Sequence, residues 1–259
     1  MVTIGNAEML ARKVAIITGA SSGIGAATAI LFSRLGAHLS LGGRNCANLE
    51  NTASRCVEKP LLIPGELTNE SDVCHLVQET LKKYGKLDIL VNNAGILELG
   101  SIENTSLEQF DRLMKVNVRS IYHLTMLCVP HLIKTQGTIV NVSSVNGLRS
   151  FPGVLAYNVS KAALDQFTKC TALELASKGV RVNSVNPGVT VTELQKRGGL
   201  SDEAYQKFLE RTKETHALGR AGDPQEVAQA IAFLACEASS FVTGVCLPVD
   251  GGRHAMCPR

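Results

Sequence analysis

Short apolar runs alternate with longer segments of helical periodicity along the whole chain. The first run, KVAIIT at residues 13–18, is followed by a helical pattern at 23–36 that ends at Gly36. Because the runs lack the polar alternation of a half-exposed strand, they predict strands that are buried on both faces. The predicted strands lie at 13–18, 37–41, 60–64, 87–93, 137–144, 180–187 and 244–250.

Helical segments separate these strands, so the chain predicts an α/β fold. Strand–helix alternation is typical of one doubly wound parallel sheet, here of about seven strands, with helices on both faces. No long linker and no internal repeat interrupts the pattern, and we expect residues 1–259 to form a single domain. Besides 23–36, the predicted helices lie at 69–84, 106–115, 117–135, 155–178, 201–215 and 224–236.

Composition narrows the class of protein. Of the 259 residues, 45% are hydrophobic and 19% are charged, as in a globular protein with a sizeable core. The net charge of +3 and the lack of a basic run argue against nucleic acid as a partner. Neither a membrane span nor a signal peptide is predicted, so we expect a cytoplasmic protein. The eight cysteines and six histidines lack metal-ligand spacing, and no metal site is expected.

The sequence TGASSGIG at 18–25 leaves the first predicted strand and opens the first helix, where a dinucleotide fingerprint would lie. Gly19 permits a tight turn, Gly23 allows the backbone to approach a pyrophosphate, and Gly25 allows close packing of helix and strand. The helix N-terminus adds free N–H groups and a partial positive charge. These features predict a dinucleotide site, although the spacing is G-x-x-x-G-x-G rather than G-x-G-x-x-G. A glycine-lined turn without a ligand is the alternative.

The end of the second predicted strand bears on the choice of cofactor. An acidic residue there would bond the ribose hydroxyls of NAD(H) and repel a 2′-phosphate. The segment LSLGGRN at 39–45 has no carboxylate before Glu50, and it carries Arg44, whose guanidinium suits a phosphate monoester. NADP(H) is therefore favoured. NAD(H) is the alternative if Arg44 is only a solvated loop residue.

Further motifs follow the glycine turn, namely NNAG at 92–95, Asn117, VSS at 142–144, YNVSK at 157–161 and NPG at 186–188. Ser144 lies 13 residues before Tyr157, Asn117 lies 40 before it, and Lys161 lies four after it. In this order and spacing, over essentially its whole length, the chain resembles the short-chain dehydrogenase/reductase family. The resemblance implies a Rossmann-type sheet and hydride transfer between a nicotinamide and a carbonyl or alcohol carbon.

The same resemblance implies a catalytic set of four residues. Tyr157 would be the general acid in reduction and the general base in oxidation, while Ser144 would hold the substrate oxygen. Lys161 would bind the nicotinamide ribose and lower the pKa of Tyr157. Asn117 would keep a water-linked proton relay in line with Lys161.

Elementary electrostatics limits what the lysine can do alone. A tyrosine four residues before a lysine shares one helical face with it. Lowering the tyrosine pKa from about 10 to about 7 requires roughly 4 kcal/mol of preferential phenolate stabilisation. One surface lysine supplies at most about 1 kcal/mol. We therefore expect a desolvated cleft, the positive oxidised nicotinamide and the Ser144 hydroxyl to supply the rest.

The resemblance also implies cofactor contacts, residue by residue. Thr190 and Thr192 would contact the nicotinamide carboxamide, although ordinary loop hydroxyls are the alternative. Glu66 departs from the family pattern, in which aspartate is frequent, and its extra methylene would shift the adenine contact. The contacts to the phosphates and the adenosine would come from Ser21, Ser22, Ile24 and Asn93. The other implied cofactor positions are Gly19, Gly23, Gly25, Arg44, Asn45, Leu67, Ala94, Gly95, Tyr157, Lys161, Pro187 and Gly188.

Three segments that follow the family motifs would build the substrate pocket, at 96–100, 145–153 and 189–219. In the last of these, Gly198 and Gly199 precede an amphipathic helix, which predicts a lid that closes over the substrate. A surface loop that does not move is the alternative. Glu98 and Arg149 are expected at the rim. We expect a medium-sized apolar ketone or alcohol as substrate, such as a steroid-like or aliphatic carbonyl compound, with a 3-oxoacyl thioester of acyl carrier protein as the rival. The predicted apolar wall comprises Leu97, Leu99, Leu148, Phe151, Leu194, Tyr205 and Phe208.

The predicted helix at 155–178 is apolar around more than half of its circumference, which requires cover on two sides. One side is the sheet, and we expect the other to be a second copy of the chain, in a homotetramer or dimer. A catalytically silent nucleotide-binding scaffold is the non-enzyme alternative, but such a protein would usually lack one of the four catalytic residues. The outer arc of the helix comprises Val159, Ala163, Phe167, Cys170 and Leu173.

Overall fold

Seven strands form one sheet in the computed structural model, which describes residues 9–257. The strands are β1 Val14–Thr18, β2 His38–Gly43, β3 Leu61–Pro64, β4 Ile89–Asn92, β5 Thr138–Val142, β6 Arg181–Pro187 and β7 Cys246–Val249. Their spatial order is β3-β2-β1-β4-β5-β6-β7, and every neighbouring pair is parallel. The predicted fold class is confirmed.

Helices cover both faces of this sheet. The α-helices are α1 Gly23–Arg34, α2 Cys46–Ser54, α3 Glu70–Tyr84, α4 Leu107–Met114, α5 Ser120–Thr135, α6 Val145–Leu148, α7 Leu155–Ala176, α8 Leu194–Arg197, α9 Asp202–Glu210, α10 Thr212–Thr215 and α11 Pro224–Ala235. Short 3-10 turns lie at Glu237–Ser239 and Arg253–Ala255. Within the part of the chain that the structure describes, no helix is long and apolar enough to cross a membrane.

The helices differ from the predicted pattern at α2, at the short helices α6 and α8, and at 201–215. Helix α2 was not predicted, because only Leu49 and Thr52 of its nine residues are buried and its apolar periodicity is weak. The predicted helix at 201–215 is broken at Arg211 into α9 and α10. There the buried Thr212 hydroxyl donates to the carbonyl of Leu209 at 2.6 Å, a local bond that competes with regular helical pairing.

Alternate residues of the central strand β1 pack into two different cores. Ala15 and Ile17 pack with Phe32 of α1 and with residues of α11. Ile16 packs on the other face, with residues of α3, α5 and α7 that include Leu124. The strand is thus buried on both faces, which explains why its sequence shows no polar alternation.

The order of the strands reverses between β1 and β4, and open α/β sheets bind their ligands in the crevice that such a reversal creates. The carboxyl end of β1 leads into the glycine turn, and that of β4 leads into residues 93–95. Strand β5 leads to Ser144, and β6 leads to Gly188. Motifs that are far apart in the sequence therefore meet at one edge of the sheet.

Candidate active site

The glycine turn packs tightly against the end of β4. Gly19 and Gly23 have positive φ angles of 63° and 55°, which favour glycine. A Cβ atom on Gly25 would overlap the carbonyl oxygen of Gly19 and the side-chain amide of Asn93. That amide donates to the carbonyl oxygens of Thr18 and Gly19, at 2.9 and 3.2 Å. Asn93 therefore anchors the turn as well as lining the cleft above it.

The N-terminus of α1 faces a cleft of about 2010 Å³. This volume exceeds the roughly 300–1,000 Å³ of an ordinary small-molecule pocket, so a dinucleotide and a substrate fit together. Ser22, at the N-cap of α1, is extended and makes no side-chain cap, which leaves the first-turn N–H groups for a ligand. These features fit a nicotinamide dinucleotide whose pyrophosphate lies on the turn.

Most of the residues implied as cofactor contacts line this one cleft. Gly25 is the exception, because it packs beneath the turn, away from the cleft. Asn45 lines the cleft and also caps α2, where its side chain accepts from the backbone N–H of Asn48 at 2.9 Å. The lining positions are Gly19, Ser21, Ser22, Gly23, Ile24, Arg44, Asn45, Glu66, Leu67, Asn93, Ala94, Gly95, Tyr157, Lys161, Pro187, Gly188, Thr190 and Thr192.

Arg44 and Glu66 lie together in the part of the cleft that follows β2 and β3. An Nη1 atom of Arg44 is 3.4 Å from Oε2 of Glu66, and the arginine side chain is 67% exposed. This loose pair leaves most guanidinium N–H groups available to a ligand. The corner therefore offers both a cation for a 2′-phosphate and a carboxylate for ribose or adenine groups.

Tyr157 lies in the first turn of α7 and is buried. Burial raises the pKa of Tyr157 to about 12, and its hydrogen bond with Ser144 only partly opposes this effect. The Ser144 hydroxyl also meets Asn146, whose backbone N–H and side-chain oxygen both lie 3.1 Å away. Before a ligand binds, the phenol is therefore neutral at physiological pH.

Lys161 lies one turn after Tyr157, with its ammonium 5.7 Å from the centroid of the tyrosine ring. Its Nζ donates to the carbonyl oxygen of Val142 at 2.9 Å. Burial lowers the pKa of Lys161 to about 8, and the Asp165 carboxylate works in the opposite direction. Since desolvation acts on both members of the pair, the lysine alone does not bring the tyrosine pKa toward neutrality, in agreement with the electrostatic argument from the sequence.

Asn117 is fully buried and does not line the cleft. It lies in a π-helical turn, Lys115–Arg119, that joins α4 to α5. Its side chain accepts from the N–H of Ile96 and donates to the carbonyl of Ile96, both at 2.9 Å, and it donates to the Ser160 hydroxyl at 3.1 Å. A π-turn of this kind re-aims a side chain within a helix. Asn117 thus holds the cleft wall after β4, so we describe it as a positioning residue.

Gly95 leaves open the space between Asn117 and Lys161. A Cβ atom on Gly95 would lie 3.2 Å from Oδ1 of Asn117 and 3.6 Å from Nζ of Lys161. Gly95 also lines the cleft. The three residues therefore border one small space beneath the catalytic pair.

A buried polar network under the catalytic loop was missed by the sequence analysis. Nδ2 of Asn186 donates to the carbonyl of Ser144 at 2.9 Å and to Oδ2 of Asp165 at 2.8 Å. Oδ1 of Asp165 accepts from Ser184 at 3.3 Å, and burial raises the pKa of Asp165. The available signal was the carboxylate of Asp165, four residues after Lys161 and therefore on the same helical face.

The predicted apolar wall is partly correct. Leu97, Leu99, Phe151, Leu194 and Phe208 line the cleft. Leu148 and Tyr205 do not line the cleft. Tyr205 is buried within the segment 189–219, and its hydroxyl donates to the carbonyl of Thr192 at 3.0 Å. Glu98 forms a two-point ion pair with Arg112, at 2.8 and 2.7 Å, and does not line the cleft.

Contacts from distant parts of the chain complete the site. An Nη2 atom of Arg197, in α8, donates to the Ser22 hydroxyl at 2.7 Å. A Cβ atom on Gly23 would lie 3.0 Å from Cγ2 of Thr192, so the segment after β6 rests directly on the glycine turn. Arg253 and Met256, from the last residues that the structure describes, also line the cleft. No local sequence pattern predicts these contacts, because the residues that meet are far apart in the sequence.

No metal site is evident in the part of the chain that the structure describes. Residues 9–257 contain no group of three or more histidine, cysteine, aspartate or glutamate side chains arranged to hold an ion.

Comparison with known proteins agrees with this geometry. A family model described as enoyl-(acyl carrier protein) reductase matches residues 19–254. A short-chain dehydrogenase/reductase of Caenorhabditis elegans, solved with its cofactor, superposes with a TM-score of 0.90 at 36% identity, covering 96% of this chain and 97% of that one. The chain belongs to the short-chain dehydrogenase/reductase family.

Relatives within the short-chain dehydrogenase/reductase family have different activities. The chain is 39% identical to the 3-oxoacyl-[acyl-carrier-protein] reductase of Thermotoga maritima, over 93% of this chain and 97% of that protein. It is also 39% identical to a cyclopentanol dehydrogenase of a Comamonas species, over 94% and 97%. A 3-ketoacyl-(acyl-carrier-protein) reductase of Brucella melitensis, complexed with NADH, superposes with a TM-score of 0.88 at 35% identity over 95% and 99%.

From its similarity to these relatives, the chain is an oxidoreductase that uses a nicotinamide cofactor. The alternative of a catalytically silent scaffold is therefore wrong. Because the named activities range from acyl-carrier-protein thioesters to a small cyclic alcohol, family membership alone does not identify the substrate.

Proposed function

We propose that this protein is an NADP(H)-dependent oxidoreductase that acts on a carbonyl or alcohol carbon of a medium-sized apolar substrate. The observation that carries the proposal is the position of Tyr157. Its phenol is buried beside Ser144 and Lys161, in a cleft that starts at the glycine turn and continues along an apolar wall. A dinucleotide bound to the turn and a substrate on that wall would meet at this tyrosine.

The three side chains have complementary tasks. The bound nicotinamide supplies or accepts the hydride. In reduction the neutral Tyr157 phenol donates a proton to the substrate oxygen, while the Ser144 hydroxyl holds that oxygen. The Lys161 ammonium is tied to the carbonyl of Val142 and lies beside the tyrosine ring, where it stabilises the phenolate that forms.

Asn117 supports the proton path indirectly. Its amide fixes Ile96 and so maintains the space that Gly95 leaves beside Lys161. We assign that space to a water-linked relay, which would return a proton to Tyr157 through the lysine. Asn117 contributes to this relay by its position.

The preference for NADP(H) over NAD(H) rests on Arg44. Its guanidinium is mostly exposed at the adenosine end of the cleft and engages Glu66 only at 3.4 Å. A 2′-phosphate would provide two or more charge-assisted hydrogen bonds to the guanidinium and is the stronger partner. Glu66 is the feature that favours NAD(H) as the competing cofactor.

A 3-oxoacyl thioester is the second candidate substrate. The family-model description and the relatives from Thermotoga maritima and Brucella melitensis favour it. The reacting group is the same ketone in both proposals. They differ in the size and charge of the part of the substrate beyond it.

Two further properties belong to the proposal. The segment 189–219 acts as a lid, since it rests on the glycine turn through Thr192 and Arg197 and supplies apolar lining. The protein works in the cytoplasm. It assembles as a homotetramer or dimer, because Val159 and Leu173 on the outer arc of α7 are 41% and 81% exposed. Paired copies would cover that arc.

Substrate turnover tests the proposal directly. NADPH consumption would be followed with a panel of neutral ketones and with 3-oxoacyl thioesters of matched chain length. We expect the ketones to react and the variant Tyr157→Phe to be at least about 100-fold slower, because the proton donor is lost. Equal rates in the two proteins would remove Tyr157 from the mechanism, and a strong preference for thioesters would favour the second candidate.

A further inference from the structure

Three arginines line the cleft at positions that the resemblance does not assign to the cofactor. Arg149 follows α6, Arg211 joins α9 to α10, and Arg253 begins the last 3-10 turn. All three line the cleft, together with the apolar residues Phe151, Phe208 and Met256. We call Arg149, Arg211 and Arg253 the arginine cluster.

None of the three arginines forms a close ion pair. Eleven ion pairs occur within residues 9–257, and none includes Arg149, Arg211 or Arg253. Glu214 is exposed on the same wall and is not paired with any of them. Other exposed arginines of the chain, such as Arg112 and Arg220, do form close ion pairs. Arg149, Arg211 and Arg253 thus bring guanidinium groups without an ion-pair partner to the wall of the cleft.

The cluster is also held in place. The Arg149 guanidinium donates to the backbone carbonyls of His254 and Met256, which ties the last turn to the cleft wall. Cζ of Arg253 lies 4.2 Å from the centroid of the Phe151 ring, a stacked cation–π contact. Stacking orients the guanidinium and leaves its edge N–H groups free. Two of the three cations are thus positioned before any ligand arrives.

Burial and mutual repulsion act together on Arg253. Desolvation and the neighbouring Arg211 lower its pKa, while Asp250 opposes them. The Asp250 carboxylate is already engaged, because it accepts from the N–H groups of Gly252 and His254 and contacts the His254 ring at 3.0 Å. Arg253 therefore has one engaged carboxylate and one like charge nearby in a half-buried position, and a further anion would stabilise it.

We propose that the arginine cluster binds an anionic group of the substrate, a carboxylate, sulfonate or phosphate, whose apolar body lies along Phe151 and Phe208 toward Tyr157. The inference rests on the proposed function and makes its substrate class narrower. The ligand is a ketone or alcohol with an apolar middle and a negatively charged end. Arginine forks suit such oxyanions because they offer paired donors in one plane.

Matched substrates test this inference. Linear oxo acids of increasing length would be compared with their methyl esters, using NADPH and initial rates. We expect kcat/KM to favour the free acid by about tenfold or more at the best length, mainly through KM, because charge-assisted hydrogen bonds are lost in the ester. High salt should reduce this preference, since the cluster is partly exposed.

Variants connect the preference to the cluster. Arg211 is exposed, so Arg211→Gln should fold normally. The single variants Arg211→Gln, Arg253→Gln and Arg253→Lys should each lower the ratio of kcat/KM for the acid to that for the ester. Arg253→Lys should lower it least, because the positive charge is kept. Lys207→Gln is the matched control, since Lys207 is an exposed cation on α9 that does not line the cleft. The control should keep the wild-type ratio. An equal ratio in wild type and Arg211→Gln would overturn the inference.

The outcomes distinguish this inference from the proposed function. Turnover of the esters with no preference for acids would reject the arginine cluster as an anion site and leave the proposed function intact. Lack of turnover of every ketone would reject both. The source of the anion is identified by comparing a 3-oxoacyl coenzyme A ester with the corresponding pantetheine ester, which lacks the phosphates. A higher kcat/KM for the coenzyme A ester assigns the anion to a phosphate. A higher kcat/KM for the oxo acids than for either thioester assigns it to a carboxylate.

Discussion

The guanidinium of Arg197 lies 2.7 Å from the hydroxyl oxygen of Ser22, a residue 175 positions earlier in the chain. One partner belongs to the segment proposed as the lid, and the other belongs to the glycine turn proposed to hold the pyrophosphate. The contact therefore connects the substrate side of the cleft to the cofactor side. An anion on the glycine turn would compete with Ser22 for the same guanidinium.

Replacing Arg197 should weaken cofactor binding. We expect Arg197→Gln to raise the Kd of NADPH about three- to tenfold, because one charge-assisted contact to the pyrophosphate is lost. Fluorescence titration of NADPH measures this. Arg55→Gln, an exposed arginine at the end of α2 outside the cleft, is the charge-matched control and should bind like wild type. A Kd for Arg197→Gln equal to that of the control would rule out a pyrophosphate contact.

Burial of Lys161 should make the free energy of unfolding depend on pH in the alkaline range. Its pKa is lowered from 10.5 to about 8 in the folded protein, so between these values the unfolded state binds more protons. The free energy of unfolding should then rise from pH 8 to 10, by up to about 1 kcal/mol per pH unit. The Tyr157 contribution has the opposite sign, since its pKa is raised to about 12, and it is lost only above pH 10.

Urea unfolding at pH 8, 9 and 10 measures the Lys161 contribution. The variant Lys161→Met lacks the titrating group and should show a flatter dependence over this range. Parallel curves for wild type and Lys161→Met would show that Lys161 is not desolvated in the folded protein.

Bound NADP⁺ should lower the pKa of Tyr157. In the unliganded protein burial keeps that pKa near 12. The positive nicotinamide would add a charge that favours the phenolate. Ultraviolet titration of phenolate absorbance, wild type minus Tyr157→Phe, should therefore shift to lower pH when NADP⁺ is added. Identical difference curves with and without NADP⁺ would mean that the cofactor does not activate this tyrosine.

Arg44 should control the cofactor preference. We expect Arg44→Ala to lower the ratio of kcat/KM for NADPH to that for NADH by about tenfold or more, since a 2′-phosphate loses its charge-assisted donors. Glu66→Gln is the informative companion, because it removes the carboxylate 3.4 Å from the same guanidinium. It should strengthen the NADPH preference. If Arg44→Ala kept the wild-type ratio, the preference would not come from this corner.

The outer face of α7 should mediate assembly. Leu173 is 81% exposed, and the ring centroid of Phe167, on the same helix, lies 5.7 Å from that of Tyr122 on α5. We expect Leu173→Glu to reduce the mass measured by light scattering, because burying a carboxylate in a subunit interface is costly. Val57→Glu, at an equally exposed apolar residue elsewhere, should keep the wild-type mass. A monomeric wild type would refute the expected assembly.

The sequence by itself determined the sheet and the order of its motifs. Strands buried on both faces and a glycine turn at the start of a helix are local patterns, and the spacing of Ser144, Tyr157 and Lys161 follows from one loop and one helical turn. Such features depend on neighbours within a few residues, so they can be read without a structure. Helix α2 was missed because its two buried residues leave too weak a pattern.

Tertiary structure alone decided how distant residues meet at the carboxyl edge of the sheet. The pairs of Arg44 with Glu66 and of Arg197 with Ser22 each join segments that have no local signal for one another. The same holds for Asn186 beneath Ser144 and for the arginine cluster. These contacts depend on crossover paths and on which side chains share a wall, and the desolvation that sets the pKa values of Tyr157 and Lys161 exists only once that packing has formed.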